Sequence, residues 1–178
     1  MSRQYFADVL VDPPIVSGSA LVATVEEGLW AATDFTRIAA NDCKAGKIFE
    51  VRAGGLITWA STGTLTITPR MGLLISSPTL GVSVTALTTP GVVTNGAWHL
   101  IFTCVIRTIG ASGANSTAVG TGTFGSLGIG TLGTTVHTSF GGTVATFDAS
   151  VGTGIWISKT LTVAGSMTTQ YVFIRSLN

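Results

Sequence analysis

The sequence predicts an all-β chain: a two-sheet antiparallel sandwich, jelly-roll-like, with an N-terminal arm. Three observations lead there. Apolar and polar residues alternate with a period of two through most of the chain, as in strands with one covered face. Gly, Ser, Thr, Asn and Pro break these runs at short intervals. No segment of convincing length carries the 3.6-residue period of a helix, which leaves a sandwich or barrel.

Residues 1–19 hold Pro13-Pro14 and Gly18, and are expected to leave the sandwich as an arm, although 5–11 has the look of a strand. Residues 20–178 are expected to form one domain. Within it, 21–30 is a strand or a short helical turn, and 35–38 a further short strand. Over 48–53, Ile48, Glu50 and Arg52 alternate with Phe49, Val51 and Ala53. Gly54-Gly55 interrupts this strand before Leu56-Ile57-Thr58-Trp59 resumes it, so a bulge or tight bend is expected at the glycines. Thr64, Thr66 and Thr68 face one way and Leu65 and Ile67 the other. Pro69 has no amide proton to give a ladder, which places that strand at an edge or ends it. Shorter strands follow at 82–87, 117–124, 134–140, 143–147, 155–163 and 170–177. The longest, 97–109, puts Trp98, Leu100, Phe102, Cys104 and Ile106 on one parity. The glycine-dense segment 110–133 carries Val119, Phe124, Leu127, Ile129 and Leu132, apolar residues a solvated linker would not hold. It is expected to be an ordered loop or hairpin leaning on a neighbour.

Charge is scarce. Lys and Arg number 9 and Asp and Glu 8, or 10% of 178 residues, against roughly 25% in an average soluble domain. In their place stand 23 glycines and 29 threonines. A small monomer keeps itself dispersed with a mixed, charged surface, so this composition implies a surface covered by other protein. A net charge of +1 without a basic block argues against direct nucleic-acid binding. The apolar run 97–106 ends at Arg107, well short of a membrane span, and residues 1–10 lack a signal-peptide pattern. Synthesis and assembly in a cytoplasm are expected, and with them free, buried thiols at Cys43 and Cys104.

Catalytic chemistry finds little material. His99 and His137 stand outside any motif, and no zinc-ligand spacing or nucleophile elbow is present. Glu26, Glu27 and Asp34 are expected to form a solvated edge or to pair with Arg37 and Lys47; Asp148 fits a turn or a buried salt bridge. The run Gly120-Thr121-Gly122-Thr123-Phe124-Gly125 imitates a phosphate loop, but no Lys-Ser/Thr and no helix follow it. Trp30, Trp59, Trp98 and Trp156 sit among aliphatics, as core or subunit-contact residues do. No catalytic residue, metal or cofactor is expected.

Residues 38–57, from Ile38-Ala39-Ala40-Asn41 through Gly46-Lys47-Ile48-Phe49-Glu50-Val51-Arg52-Ala53-Gly54-Gly55, resemble a segment common in structural proteins of tailed phages. So do Thr64-Leu65-Thr66-Ile67-Thr68-Pro69-Arg70-Met71-Gly72, the stretch from Trp98 to Ala114, and the closing Ser176-Leu177-Asn178. The likeness covers the chain sparsely from Glu26 onward. It implies a non-enzymatic virion protein, foremost a capsid decoration (cement) protein on the phage head. Such a protein stabilises the head by bridging major capsid protein subunits, as a homo-oligomer, a trimer at local threefold axes. The candidate assembly contacts are Tyr5, Phe6, Pro13, Pro14, Trp30, Phe124 and Trp156. The alternative is a tail or head-fibre protein binding host-surface glycans through exposed aromatics such as Trp30 and Trp156; a cell-wall enzyme ranks last.

Overall fold

Alternation of covered and open side chains becomes eleven strands in the computed structural model, which describes residues 7–11, 20–21, 25–30, 38–59, 63–72, 84–88, 92–113, 115–127, 135–163 and 165–177. They are β1 (Ala7–Val11), β2 (Ala20–Leu21), β3 (Glu27–Gly28), β4 (Ile48–Trp59), β5 (Thr64–Met71), β6 (Val84–Thr88), β7 (Val93–Thr108), β8 (Ser116–Leu127), β9 (Thr135–Phe147), β10 (Ile155–Leu161) and β11 (Gly165–Leu177). No helix occurs among the described residues, and so none long and apolar enough to cross a membrane.

Two antiparallel sheets result. The large one runs β1-β11-β4-β7-β8-β9, with β2 also on β11; the small one runs β3-β10-β5-β6. The last two strands insert between early ones: β11 lies between β1 and β4, and β10 between β3 and β5. Without β2 and the β8–β9 hairpin, two four-stranded sheets remain, β1-β11-β4-β7 and β3-β10-β5-β6. That interleaving of eight strands is the jelly-roll path. The added hairpin widens one sheet beyond the other.

The predicted parities hold in the core. Trp98, Leu100, Phe102, Cys104 and Ile106 of β7 are all buried, as are Phe49, Val51, Ala53, Ile57 and Trp59 of β4. Opposite them pack Leu65, Ile67 and Met71 of β5 and Ile155, Ile157 and Leu161 of β10. Leu29 ties the sheets together at one side. Its amide donates to Ile157 O at 2.9 Å and its carbonyl accepts from Thr169 Oγ1 of β11.

Several expectations need correction. β4 runs unbroken through Gly54-Gly55, and the bulge lies in its partner: Thr169 pairs with Gly55 and Tyr171 with Gly54, leaving Gln170 extra. The glycines make room for it. A Cβ on Gly55 would sit 1.9 Å from Thr168 O, and one on Gly54 2.6 Å from the Tyr171 ring. Residues 135–140 and 143–147 belong to the single strand β9, and of 21–30 the described residues place Leu21 in β2 and Glu27–Gly28 in β3, which lie in different sheets. Within the segment 110–133, residues 116–127 form the single strand β8 beside β7, and residues 114 and 128–133 lie outside the described set. Glycine serves packing there, since a Cβ on Gly120 would meet Phe102 Cζ at 2.1 Å. β5 lies between β10 and β6, so it is an inner strand where its pairing with β6 is described, from Thr64 to Ile67, and Pro69 pairs with Ile157 of β10. Of the expected arm at 1–19, residues 7–11 are tied into the large sheet as β1, antiparallel to β11.

Candidate functional site

One broad face is open: the outer side of the large sheet. Cross-strand register sorts its side chains into rows. One row reads Leu177, Ile48, Val105 and Val119 across β11, β4, β7 and β8. The next reads Arg175, Glu50, Thr103 and Thr121; then Phe173, Arg52, Ile101 and Thr123; then Tyr171, Gly54, His99 and Gly125. Most positions are Thr, aliphatic or aromatic, as period-two strands with a Thr-rich outer parity dictate. Ile101 is 41% exposed and Tyr171 46%. Because Gly54 has no side chain, the Tyr171 ring occupies the space above it.

The charge on these rows is a single cluster. Glu50, 9% exposed, accepts from Arg52 Nε through Oε1 and from Arg175 Nη2 through Oε2 at 2.9 Å. Burial pushes the Glu50 carboxyl up, but the hydrogen bonds and charges of Arg175 and Arg52 outweigh it and hold the group below its ordinary value. The Arg175 guanidinium carbon lies 6.0 Å from the centre of the Phe173 ring, a cation–π distance. Chemically this cluster can bind and orient; it places no nucleophile beside a base.

The other expected residues are elsewhere. Tyr5, Phe6, Pro13 and Pro14 lie outside the described residues. Trp30, Phe124 and Trp156 are buried within the chain itself. Phe124 stacks on Trp98 with ring centroids 6.0 Å apart, and the Trp156 indole covers Gly28. Cys43 and Cys104 are free and buried. Burial pushes the Cys104 thiol up to about 12 and also raises Cys43. His99 and His137 both pair with Gly125, on opposite sides of β8.

Asp34 and Arg37 lie outside the described residues, and Glu26 does not pair with Lys47. It takes a two-pronged bond from Arg70, with Nε at 3.0 Å and Nη2 at 2.9 and 3.0 Å, plus the Ser158 hydroxyl. Lys47 binds Asp42 instead, at 3.0 Å. Asp148 is a turn residue: Oδ2 accepts from Gly113 N at 2.8 Å, and Oδ1 accepts from the amide and hydroxyl of Ser150. The Ser150 and Gly113 donors hold its carboxyl below the ordinary value. Among the described residues no three His, Cys, Asp or Glu side chains gather as a metal site.

Sequence reasoning missed the Arg52–Glu50–Arg175 cluster and Tyr171. Glu50 and Arg52 stood on the expected polar parity, but Arg175 joins them only through the β4–β11 register. Comparison with family models, curated proteins and solved structures finds no match to this chain.

Proposed function

We propose that the protein is a non-enzymatic structural subunit of a tailed-phage virion, a decoration protein that sits on the head and bridges major capsid protein subunits. One observation carries the proposal: the outer face of the large sheet, where four rows of mostly uncharged side chains surround one compact ion cluster. Protein interfaces have that make-up, depleted of charge at the centre and enriched in Tyr and Arg. At strand spacings of about 4.8 Å and row spacings of about 6.8 Å, four strands by four rows cover on the order of 500 Å². A stable one-to-one contact buries roughly 800 Å² per partner. This face alone is therefore a modest contact, and it becomes a firm one when copies are linked, because each bound copy raises the local concentration of the next. A closed trimer on a symmetric shell supplies that linkage.

The scarcity of charge and the resemblance of residues 38–57 to tailed-phage structural proteins support the same proposal. The glycan-binding fibre alternative relied on Trp30 and Trp156 as exposed platforms. Both are buried, so the decoration role is preferred.

The test is electron cryomicroscopy of particles made with and without this chain. Density for the jelly roll on the head, with Ile101, Thr121 and Tyr171 turned toward the shell, is the expected result. Particles that lack the chain, or carry it only on the tail, would refute the proposal.

A further inference from the structure

We propose that Arg52 and Arg175, with Tyr171, Phe173 and Ile101 around them, receive a carboxylate carried on an apolar segment of the protein partner. The inference rests on the docking role proposed above and names the chemistry of the group this face takes. Two guanidiniums here share one carboxylate, and both oxygens of Glu50 are engaged. Arg52 spends only its Nε on Glu50 and its side chain is 52% exposed, so its two Nη groups present a fork with no partner among the described residues. Arg175 spends one Nη, and its Nε, shielded from solvent, has no acceptor among the described residues. The cluster therefore carries one surplus positive charge and donors for another planar anion, which a guanidinium binds through two parallel bonds.

The surroundings select what brings that anion. Phe173 stands opposite Arg52 on one side and Ile101 on the other. With Tyr171 in the next row, they form an apolar rim that excludes water once covered and strengthens the ion pair. A polyanion such as nucleic acid would need a basic stripe, and a net charge of +1 supplies none. One carboxylate flanked by apolar side chains is the complementary group.

Retention on particles tests this with the full-length chain. Arg52→Glu should lower occupancy at least about tenfold, the effect of reversing one partner of a desolvated pair. Arg52→Lys, which keeps the charge and loses the fork, should fall between. Lys44→Glu, an equal charge change on the exposed loop before β4 and outside the cluster, should match the wild type. Thermal melts identify any variant that has unfolded, and Arg52→Gln then replaces it. Wild-type occupancy by folded Arg52→Glu and Arg52→Gln would overturn the inference while leaving the docking role standing; no binding by the wild type would remove both. A titration separates the source of the carboxylate. The Nε–H signals of Arg52 and Arg175 should shift with the peptide acetyl-Leu-Glu-Leu-amide and not with its Gln analogue. A shift with sialyllactose and none with the Glu peptide would overturn the inference in favour of an acidic glycan.

Discussion

Replacing Lys159 by methionine should stabilise the protein at neutral pH and flatten its pH dependence in the alkaline range. Lys159 points inward from β10, 2% exposed, and gives one proton to Met167 O of β11 at 2.7 Å. Its other two protons find no acceptor among the described residues. Burial lowers the amine from 10.5 to about 8, an effect the charge of Glu27 offsets only in part. At about 1.4 kcal/mol per pH unit, that corresponds to a cost of about 3 kcal/mol for keeping the ammonium charged inside the fold. The sign follows from proton counts. Between about 8 and 10.5 the unfolded chain holds more protons on this amine than the folded one, so stability rises with pH there; below 8 the cost is full and constant. Methionine matches the length and volume of the stem without the charge, but leaves Met167 O short of a donor, a loss of about 1 kcal/mol. The net gain at pH 7 is therefore about 2 kcal/mol, and it should vanish by pH 10. Urea unfolding of both proteins at pH 7, 8.5 and 10, with reductant present, measures the difference. Cys104 acts in the opposite direction. Held up at about 12, it keeps in the folded state a proton that the unfolded thiol loses above 9.0, so it lowers stability as pH rises past 9. That contribution is common to both proteins and cancels. A methionine variant less stable at pH 7 with an unchanged denaturant slope, or a gap constant with pH, would refute the reasoning.

Gly55→Ala should cost about 3 kcal/mol or more, because the new Cβ meets the backbone at Thr168 O, which also accepts the Trp98 indole proton at 3.2 Å; a thermal melt within a few degrees of wild type would contradict it. Gly46→Ala should cost only about 1–2 kcal/mol, since its φ of 83° strains an alanine but nothing lies within 4 Å of the added methyl. Glu26→Gln should lose about 2 kcal/mol by weakening the Arg70 fork that anchors the start of β3, and hydrogen exchange should show the loss first at Gly28 and Leu29. Asp148→Ala should speed amide exchange at Gly113 and Ser150 with little change elsewhere. In the wild type the same loosening should appear on acidification: the lowered carboxyl contributes stability above the unfolded value near 3.8 and loses it as pH falls through the folded one.

The part of the fold visible in the sequence is the part set by local steric alternation. β7 was legible because four large apolar residues and a cysteine occupy one parity with no charged or strongly polar substitute, and only a covered face accepts that. Which strand carries the bulge was not legible. Gly54-Gly55 signals a special backbone relationship, and a missing Cβ serves equally for a bend in its own chain or for a crowded neighbour. How Trp156 comes to be buried was hidden for a related reason. Trp156 stands on the outer parity of β10, which a lone two-layer sandwich would leave open. Glu26, 132 residues away from Ser158, covers that side, and Arg70 and Gly28 pack there with it. Cross-strand charge pairs were hidden in the same way: Glu50 and Arg175 are 125 residues apart, and only the register brings them together.

Where the charges go decides how the scarcity of charge should be understood. Ionised groups dispersed over the surface would hold the molecule in solution even at this low number. Instead they are drawn into the structure: Asp42 with Lys47, Glu26 with Arg70, Glu50 with Arg52 and Arg175, Asp148 with backbone amides, and Lys159 inside the sandwich. Among the described residues, Lys44 and Arg107 are left as exposed cations without a bonded partner. What meets water is then mostly hydroxyl and hydrocarbon, including Val92, Val151, Ile109 and the face around Ile101. Threonine keeps such a surface wettable at little desolvation cost, while it raises no long-range repulsion against a second uncharged surface. A body of this kind associates by contact rather than by steering, so its binding to a partner should vary weakly with salt except for the share carried by Arg52 and Arg175. Measured between 50 and 500 mM NaCl, occupancy on particles should fall severalfold at most. A collapse by orders of magnitude would mean that a charged surface outside the described residues does the binding instead.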